Sequence, residues 1–345
     1  MKFIYGFLLL LVMLFLAACP AKPASPTDPT ASTNTVSSTT NGNVVTNVTQ
    51  VVTTTISTNY FYKRSWGGYG SADGQMNAVG DVVFGPDYQI YVAEYFGNRI
   101  QVFDTNGNFL RKWGTAGTGN GQFSTLNGIA VSTDGKVYSI EDSRIQVFTT
   151  NGVYLNKWGS SGTGDGQFGS GGGDSKIAID PTGNIWVSDV GNSRTQKFDT
   201  NGTFLAKYSI SGESMRMEGT NYWVGAGAAG TIKRYDTSGN LNLTLGPSAN
   251  YPQPKGLGLN QTGNRLFVGN SLNKIAVLDT SGTVQFVFGT SGTNINELKW
   301  STAILQDNQS NLYIANGYDD RIKVFTWGIQ TNATTNFVTT VVTNN

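Results

Sequence analysis

Short apolar runs separated by glycine and asparagine dominate most of the chain. The stretch Tyr91–Gly114 contains three of them, rich in β-branched and aromatic residues: Tyr91–Glu94, Arg99–Asp104 and Asn108–Trp113. Runs of this kind predict short β-strands. The dipeptide Asn106-Gly107 joins the second run to the third. It predicts a tight hairpin, because both central residues of a type I′ turn have positive φ.

The same turn returns along the chain, so the sequence is a repeat. Its first residues are Asp104, Thr149, Asp199, Asp236 and Asp279. A period of about 40–50 residues with several short strands per unit is typical of β-propellers, in which one blade alone cannot bury its faces. The pattern therefore predicts an all-β fold built from repeated blades.

A second marker precedes the first three units. It reads Asp73-Gly-Gln-Met76, Asn120-Gly-Gln-Phe123 and Asp165-Gly-Gln-Phe168. Together with the Tyr-Val-Ala-Glu and Asn-Arg-Ile-Gln-Val-Phe strands, these loops resemble the NHL-repeat family. The resemblance covers Phe61 to about Gly328 and implies a six-bladed β-propeller. Blade four departs from the pattern, with Thr231 where the other blades carry arginine or lysine.

The two ends of the repeat region complement each other. Tyr62–Gly67 matches the last strand of a blade although no blade precedes it, whereas the chain after Phe325 lacks a fourth strand. We therefore expect Tyr62–Trp66 to form the outer strand of blade six, which removes two exposed sheet edges. The predicted fold is a six-bladed β-propeller of NHL-like repeats over residues 59–328, with the ring closed by an N-terminal strand.

The N-terminus has the features of an export signal. Lys2 precedes the apolar run Phe3–Leu16, which is short for a membrane span and typical of a signal-peptide core. Leu16-Ala-Ala-Cys19 resembles the lipobox of bacterial lipoproteins. The resemblance implies that residues 1–18 are a lipoprotein signal peptide and that Cys19 carries the lipid. With Pro20 next, it favours the outer membrane of the cell envelope. An ordinary signal peptide with a chance cysteine, or an uncleaved anchor, stays an alternative.

The two tails differ in composition from the repeat region. They are rich in Ser, Thr, Asn and Val and have almost no charge, so they cannot bury enough surface to fold alone. We expect residues 19–58 to form a flexible tether and residues 329–345 a low-complexity tail. A partial strand pattern at Val44–Ile56, echoed at Phe337–Val342, leaves pairing of the two tails open.

Composition removes several classes of function. The 345 residues include 23 Lys or Arg and 22 Asp or Glu, so the net charge gives no electrostatic reason to expect nucleic acid as a partner. The chain has no histidine, which removes the commonest metal ligand and the usual general base near neutral pH. The single cysteine excludes an intramolecular disulfide. We expect a monomer with no metal and no cofactor.

Repetition without a unique catalytic motif favours a binding scaffold whose loops contact a protein or a glycan. An acidic residue precedes each of Arg99, Arg144 and Arg194. A pair that recurs in successive blades predicts a structural ion pair rather than acid–base catalysis. The alternative is an enzyme of the lactonase or lyase type, because similar propellers include such enzymes with a metal in the channel. The oxygen ligands of that site would come from Glu213, Asp81, Asn127 and Glu218.

The partner site is predicted where blades six and one meet, because these blades are neighbours in a closed ring. The predicted partner-binding residues are Tyr95, Phe96, Trp300, Tyr318, Asp319 and Asp320. The predicted channel-rim residues are Asp81, Asn127, Lys176, Arg216 and Lys255. Clustered exposed aromatics are common at interaction sites, since rigid rings bury a large area at low entropic cost. The alternative is that each ring folds down onto the neighbouring blade.

Overall fold

The computed structural model describes residues 30–41, 44–141, 143–169, 175–260 and 262–343, with side chains described within 58–329. The predicted signal peptide and Cys19 lie outside the described residues. The chain divides into two units, one of Tyr60–Trp327 and one of residues 1–59 and 328–345. No helix within the described ranges has the length and apolar character needed to cross a membrane.

The larger unit is a six-bladed β-propeller, as the sequence predicts. Each of blades one to five is an antiparallel four-stranded sheet whose strands follow one another from the channel outwards. The strands of blades one to three are Val79–Phe84, Ile90–Glu94, Arg99–Phe103, Phe109–Trp113; Leu126–Val131, Lys136–Glu141, Arg144–Thr149, Tyr154–Trp158; and Lys176–Ile179, Ile185–Asp189, Arg194–Phe198, Phe204–Tyr208. Those of blades four and five are Ser214–Glu218, Asn221–Ala226, Thr231–Asp236, Leu241–Leu245; and Gly256–Leu259, Arg265–Gly269, Ile275–Asp279, Val284–Phe288.

Blade six joins the two ends of the chain. Its inner strands are Ser301–Gln306 and Asn311–Asn316, and Arg321–Thr343 is next in the sheet. The strand Val44–Gly67 pairs beside Arg321–Thr343. The N-terminal strand therefore supplies the outer strand of blade six, and the predicted closure of the ring is confirmed.

Among the residues whose side chains are described, the hydrophobic core consists of six clusters, and each cluster draws its side chains from two successive blades. Tyr91 and Val102 of blade one pack with Ile129 and Val137 of blade two, for example. The cluster that closes the ring joins Val82 and Phe103 of blade one to Tyr313 and Val324 of blade six in the same way. Burial between blades rather than within them explains why one repeat cannot fold alone.

Outer-strand aromatics pack on the hairpin glycine of the next blade. The indole of Trp113 lies against Gly152, that of Trp158 against Gly202, and the ring of Tyr208 against Gly239. Each of these glycines has positive φ and no room for a Cβ atom. The aromatic position therefore serves packing between blades, as its recurrence in the sequence indicates.

A repeated clamp holds the loop that precedes the inner strand in blades one to three. Arg144 Nε lies 2.8 Å from Glu141 Oε1, and Arg144 Nη2 donates to the carbonyls of Gly119 and Gln122. Arg99 and Arg194 make the corresponding pairs and carbonyl contacts. The predicted structural ion pair is present, and its arginine also braces the Gly-Gln loop ahead of the blade.

The same loop occurs a fourth time in blade six, where the sequence motif is hard to recognise. Gln122 Oε1 accepts a hydrogen bond from Gly119 N, and Glu297 Oε2 accepts one from Asn294 N in the same arrangement. A carboxylate replaces the amide but offers the same acceptor oxygen. The feature that repeats at this position is an acceptor oxygen, which either glutamine or glutamate can supply.

The smaller unit contains paired strands where composition predicts a flexible tether. Thr30–Asn41 pairs antiparallel with the first part of Val44–Gly67, from Asn41 opposite Val44 to Thr30 opposite Thr54. The C-terminal residues up to Thr343 continue a strand of the same sheet. Threonine and valine are stiff at χ1 and favour extended backbone, so a polar segment rich in them forms strands without a large core.

Candidate binding cavity at the channel mouth

All the loops of interest open on one side of the ring. In an antiparallel four-stranded blade, the loop before strand one and the loop between strands two and three emerge at the same end. We call this end of the propeller the mouth. Tyr95 and Phe96 follow the second strand of blade one, Tyr318 follows the second strand of blade six, and Trp300 directly precedes Ser301.

A cavity of about 510 Å³ lies at the mouth. It gathers five of the six predicted partner-binding residues: Tyr95, Phe96, Trp300, Tyr318 and Asp320. Three of the five predicted channel-rim residues also line it: Asn127, Lys176 and Lys255. Blades six and one thus bring together side chains that are more than 200 residues apart in the sequence.

Aromatic rings form the wall of the cavity, and most of them are exposed. Phe96 is 63% exposed, Tyr318 62% and Trp300 38%. The rings of Tyr95 and Phe96 meet edge to face at 4.8 Å, and those of Trp300 and Tyr318 do so at 5.5 Å. Rings that had folded down onto the next blade would be buried. Phe96 and Tyr318 therefore project from their loops.

The backbone at Trp300 explains how its ring is held. Trp300 has a φ of 61°, a left-handed conformation that is uncommon for a bulky residue and is often found at functional sites. Trp300 N donates to Asn273 Oδ1 at 2.9 Å, and its carbonyl accepts from Gly317 N at 2.9 Å. Loops of blades five and six thus hold the backbone of Trp300 from both sides.

Polar groups form the floor of the cavity. Lys176 Nζ donates to the carbonyl oxygens of Gly80 and Asn127 at 2.9 Å each, and so ties the inner strands of blades one, two and three together. Asn127 is 2% exposed. Its side-chain Oδ1 has no hydrogen-bond partner among the described residues. A buried amide oxygen without a partner is costly and rare.

The charged groups of the cavity have ionic or hydrogen-bonding partners. Lys255 forms an ion pair with Glu213, and Lys255 Nζ lies 5.2 Å above the ring of Trp300. Asp320 Oδ1 accepts a hydrogen bond from Ala78 N. Burial raises the pKa of Asp320, and the charge of Asp319 adds to this effect, while the Ala78 hydrogen bond and Arg321 oppose it.

Three predicted site residues lie outside the cavity. Asp319 pairs with Lys323 Nζ at 2.6 Å and accepts from Asn316, which holds the loop of blade six from within. Asp81 and Arg216 form an ion pair of 3.0 Å between the inner strands of blades one and four. These blades face each other across a six-membered ring. The pair therefore spans the channel rather than lining its rim.

The structure does not bring the four candidate oxygen ligands together into a metal site. Asp81 is engaged by Arg216, while Glu218 accepts from Trp223 Nε1 at 3.0 Å and lies 3.7 Å from Arg234. Glu213 and Asn127 line the cavity, whereas Asp81 and Glu218 do not. Over the described ranges, no group of three or more Asp, Glu, His or Cys side chains converges on one point.

Tyr69 lines the cavity and is 75% exposed, although the sequence motifs do not single it out. A signal is nevertheless present. Tyr69 precedes Gly70 in the loop ahead of blade one, at the position where blades two, three and six carry Ala116, Ser161 and Ser291. A large aromatic at a position otherwise filled by small residues marks the loop of blade one as different.

Comparisons with known proteins support the fold and go no further. No family model matches the chain, so the resemblance to NHL repeats stays an expectation from the sequence motifs. No curated protein matches it either. Among solved structures, the chain is similar to that of a streptogramin B lyase, with a TM-score of 0.52 and 15% sequence identity, over 79% of this chain and 98% of that one. At this identity the likeness shows a shared propeller fold.

Proposed function

We propose that the protein is a binding propeller that receives a protein or a glycan partner in the cavity at the mouth. One observation carries this proposal: aromatic residues from two ends of the chain converge on one concave site and stay exposed. Large exposed apolar side chains grouped in this way are characteristic of interaction sites. The surrounding clamps and ion pairs hold the loops rigid, which lowers the entropic cost of binding.

We propose further that the propeller is displayed outside the cytoplasm on a lipid attached to Cys19, in the outer membrane. The motif Leu16-Ala-Ala-Cys19 and the apolar run before it support this. Two or more acyl chains anchor a protein durably, whereas one binds reversibly. Replacing Cys19 with Ala should move the protein from the detergent phase to the aqueous phase. Unchanged partitioning of the C19A protein would contradict the anchor.

The binding role is tested by capture from a cell-envelope extract with full-length C19A protein as bait. Phe96→Ala combined with Tyr318→Ala should abolish capture and leave the melting temperature nearly unchanged, because both rings are exposed. Tyr88→Ala is the matched control, since Tyr88 is also an exposed aromatic at 52% but lies in the turn between strands one and two, at the opposite end of the blade. Equal capture by all proteins would place the site elsewhere.

The second candidate is an enzyme of the lactonase or lyase type. The fold shared with a streptogramin B lyase is compatible with this alternative, and Glu213 and Asn127 would supply oxygen ligands in the cavity. The alternative requires a metal held by those oxygens. Elemental analysis of protein purified without chelators separates the two proposals. A stoichiometric metal that is lost on Glu213→Gln would favour the enzyme.

A further inference from the structure

Resting on the binding role proposed above, we infer that the cavity takes an uncharged saccharide, with a sugar ring stacked on the exposed aromatics and a hydroxyl bonded to Asn127. A free oligosaccharide and the end of a longer glycan present the same chemistry to the site. Shape, aromatic geometry, charge balance and the unpaired amide each support this assignment.

The shape of the site favours a small ligand or a chain end over a folded protein. Ligand pockets have volumes of about 300–1,000 Å³, and the cavity at 510 Å³ falls within this range. A stable protein interface instead buries about 800 Å² on each partner over a broad surface. A concave site at the centre of a ring therefore suits a small ligand or the end of a chain.

The aromatic geometry suits a sugar ring. In each edge-to-face pair one ring supports the other, so Tyr95 braces Phe96 and Trp300 braces Tyr318. Each pair thus offers a rigid ring to the cavity. A pyranose has apolar C–H groups on its faces and hydroxyls around its rim. The C–H faces stack on aromatic rings, while the hydroxyls need hydrogen-bonding partners beside them.

The charge balance favours a ligand without charge. The ionisable side chains that line the cavity, tyrosines aside, are two lysines, Lys176 and Lys255, and two carboxylates, Glu213 and Asp320. Lys255 and Glu213 neutralise each other. Phosphate and carboxylate ligands are usually held by the planar fork of arginine, and the described residues that line the cavity include no arginine.

Asn127 supplies the point of specificity. Its Oδ1 is an acceptor that the described part of the protein leaves unpaired, and it belongs to a residue that is 2% exposed. A hydroxyl group donates one hydrogen bond and accepts others. The oxygen is itself covered in this structure, so a sugar hydroxyl reaches it only by displacing the side chains of the floor. Once there, the hydroxyl would satisfy the amide oxygen, and an apolar ligand would not.

The test treats the envelope extract with periodate, which cleaves vicinal diols, before capture with full-length C19A protein. We expect periodate to reduce capture at least tenfold, and about 0.5 M NaCl to leave it unchanged, because salt screens charged interactions and not stacking. Capture that survives periodate would mean a protein partner, which overturns the saccharide and leaves the proposed function standing. Capture lost in high salt would overturn the uncharged ligand. No capture at all would overturn the proposed function itself.

Two variants connect the result to the cavity. Asn127→Leu should weaken binding of the captured glycan at least tenfold while the protein unfolds at the same or a higher temperature, because the substitution removes an unpaired buried acceptor. Tyr88→Ala should bind as the C19A protein does. The captured glycan is separated by size, and each fraction is titrated into the C19A protein with intrinsic tryptophan fluorescence as the readout. The fraction that binds distinguishes a free oligosaccharide from a polymer. An Asn127→Leu protein that binds with full affinity would remove the amide from the assignment.

Discussion

The indole of Trp66 packs on Gly107, in the relation that Trp113 has to Gly152 one blade further on. A Cβ atom at Gly107 would lie 2.6 Å from Trp66 Cδ2, and one at Gly152 would lie 2.7 Å from Trp113 Cδ2. Trp66 precedes blade one in the sequence but belongs to the outer strand of blade six. The repeated contact between successive blades therefore continues unbroken across the two ends of the chain.

This contact predicts that Gly107→Ala lowers the free energy of unfolding more than Gly183→Ala does. Gly107 and Gly183 have φ of +90° and +89°, so alanine incurs the same backbone strain at both. At Gly183 the nearest atom to a new Cβ is Thr200 Cγ2 at 3.7 Å, which is ordinary contact. Gly107→Ala should cost about 1–3 kcal/mol more in the free energy of unfolding, the usual range for overpacking. Denaturant unfolding of both variants checks this, and equal midpoints would contradict it.

The closing strand also carries a buried phenol that makes stability depend on pH. Tyr60 packs against Phe267, Phe288 and Trp327, and its hydroxyl accepts from Gln306 Nε2 at 2.7 Å. Burial, the largest influence, raises the pKa of Tyr60 from 10.0 to about 12, while Arg265 and Gln306 lower it less. The neutral phenol is therefore favoured in the folded state, and its contribution is complete below pH 10 and lost between pH 10 and pH 12.

The variant Tyr60→Phe tests whether stability falls as the pH rises through this range. At pH 8 the variant should be less stable by about 1 kcal/mol, because Gln306 loses its partner. Between pH 8 and pH 11 the wild type should lose about 1.4 kcal/mol that the phenylalanine variant keeps. Urea unfolding at pH 8 and pH 11 should thus show the difference disappear. A constant difference between the two proteins at both pH values would argue against a raised pKa.

The sequence predicts well what is local and repeated, and less well what depends on distant partners. The positions of the hairpins, the ring closure by Tyr62–Trp66 and the gathering of aromatics near Trp300 follow from spacing and copy number. The type I′ turn expected at Asn106-Gly107 is wrong, because only Gly107 has positive φ there. The channel pair of Asp81 and Arg216 joins opposite blades, and no local pattern records it. Asp319 is expected at the surface and instead forms an ion pair with Lys323, a residue that is fully buried.

The tails show a second limit of prediction from the sequence. Residues 19–58 have the polar composition of a flexible segment, yet Thr30–Asn41 and Val44–Gly67 are strands. Low hydrophobicity predicts the absence of a core, but β-branched residues favour extended backbone with or without one. The partial strand pattern at Val44–Ile56 predicts the structure of this segment better than its composition does. Alternation and β-branched residues report the preference of the backbone for an extended conformation.

The loop clamps predict a contrast between buried and exposed ion pairs. Arg144→Lys should cost about 1–3 kcal/mol, because lysine can reach Glu141 but cannot also donate to the carbonyls of Gly119 and Gln122. Lys207→Met removes an exposed pair with Asp165 and should change the free energy of unfolding by less than about 1 kcal/mol. Thermal unfolding of the two variants is the measurement. Similar losses would mean that the carbonyl contacts contribute little.

The ion pair across the channel predicts strong coupling between blades one and four. Arg216→Met leaves the carboxylate of Asp81 fully buried without its cation, and loss of one partner of a buried pair costs about 3–5 kcal/mol. Asp81→Asn keeps an oxygen for the backbone N–H of Val82 but leaves Arg216 unpaired. The double variant removes both charges, so it should be more stable than the sum of the single losses implies, by about 1–3 kcal/mol. A double-mutant cycle measured by urea unfolding tests this. Additive losses would mean that the two charges act independently and that their attraction does not hold blades one and four together.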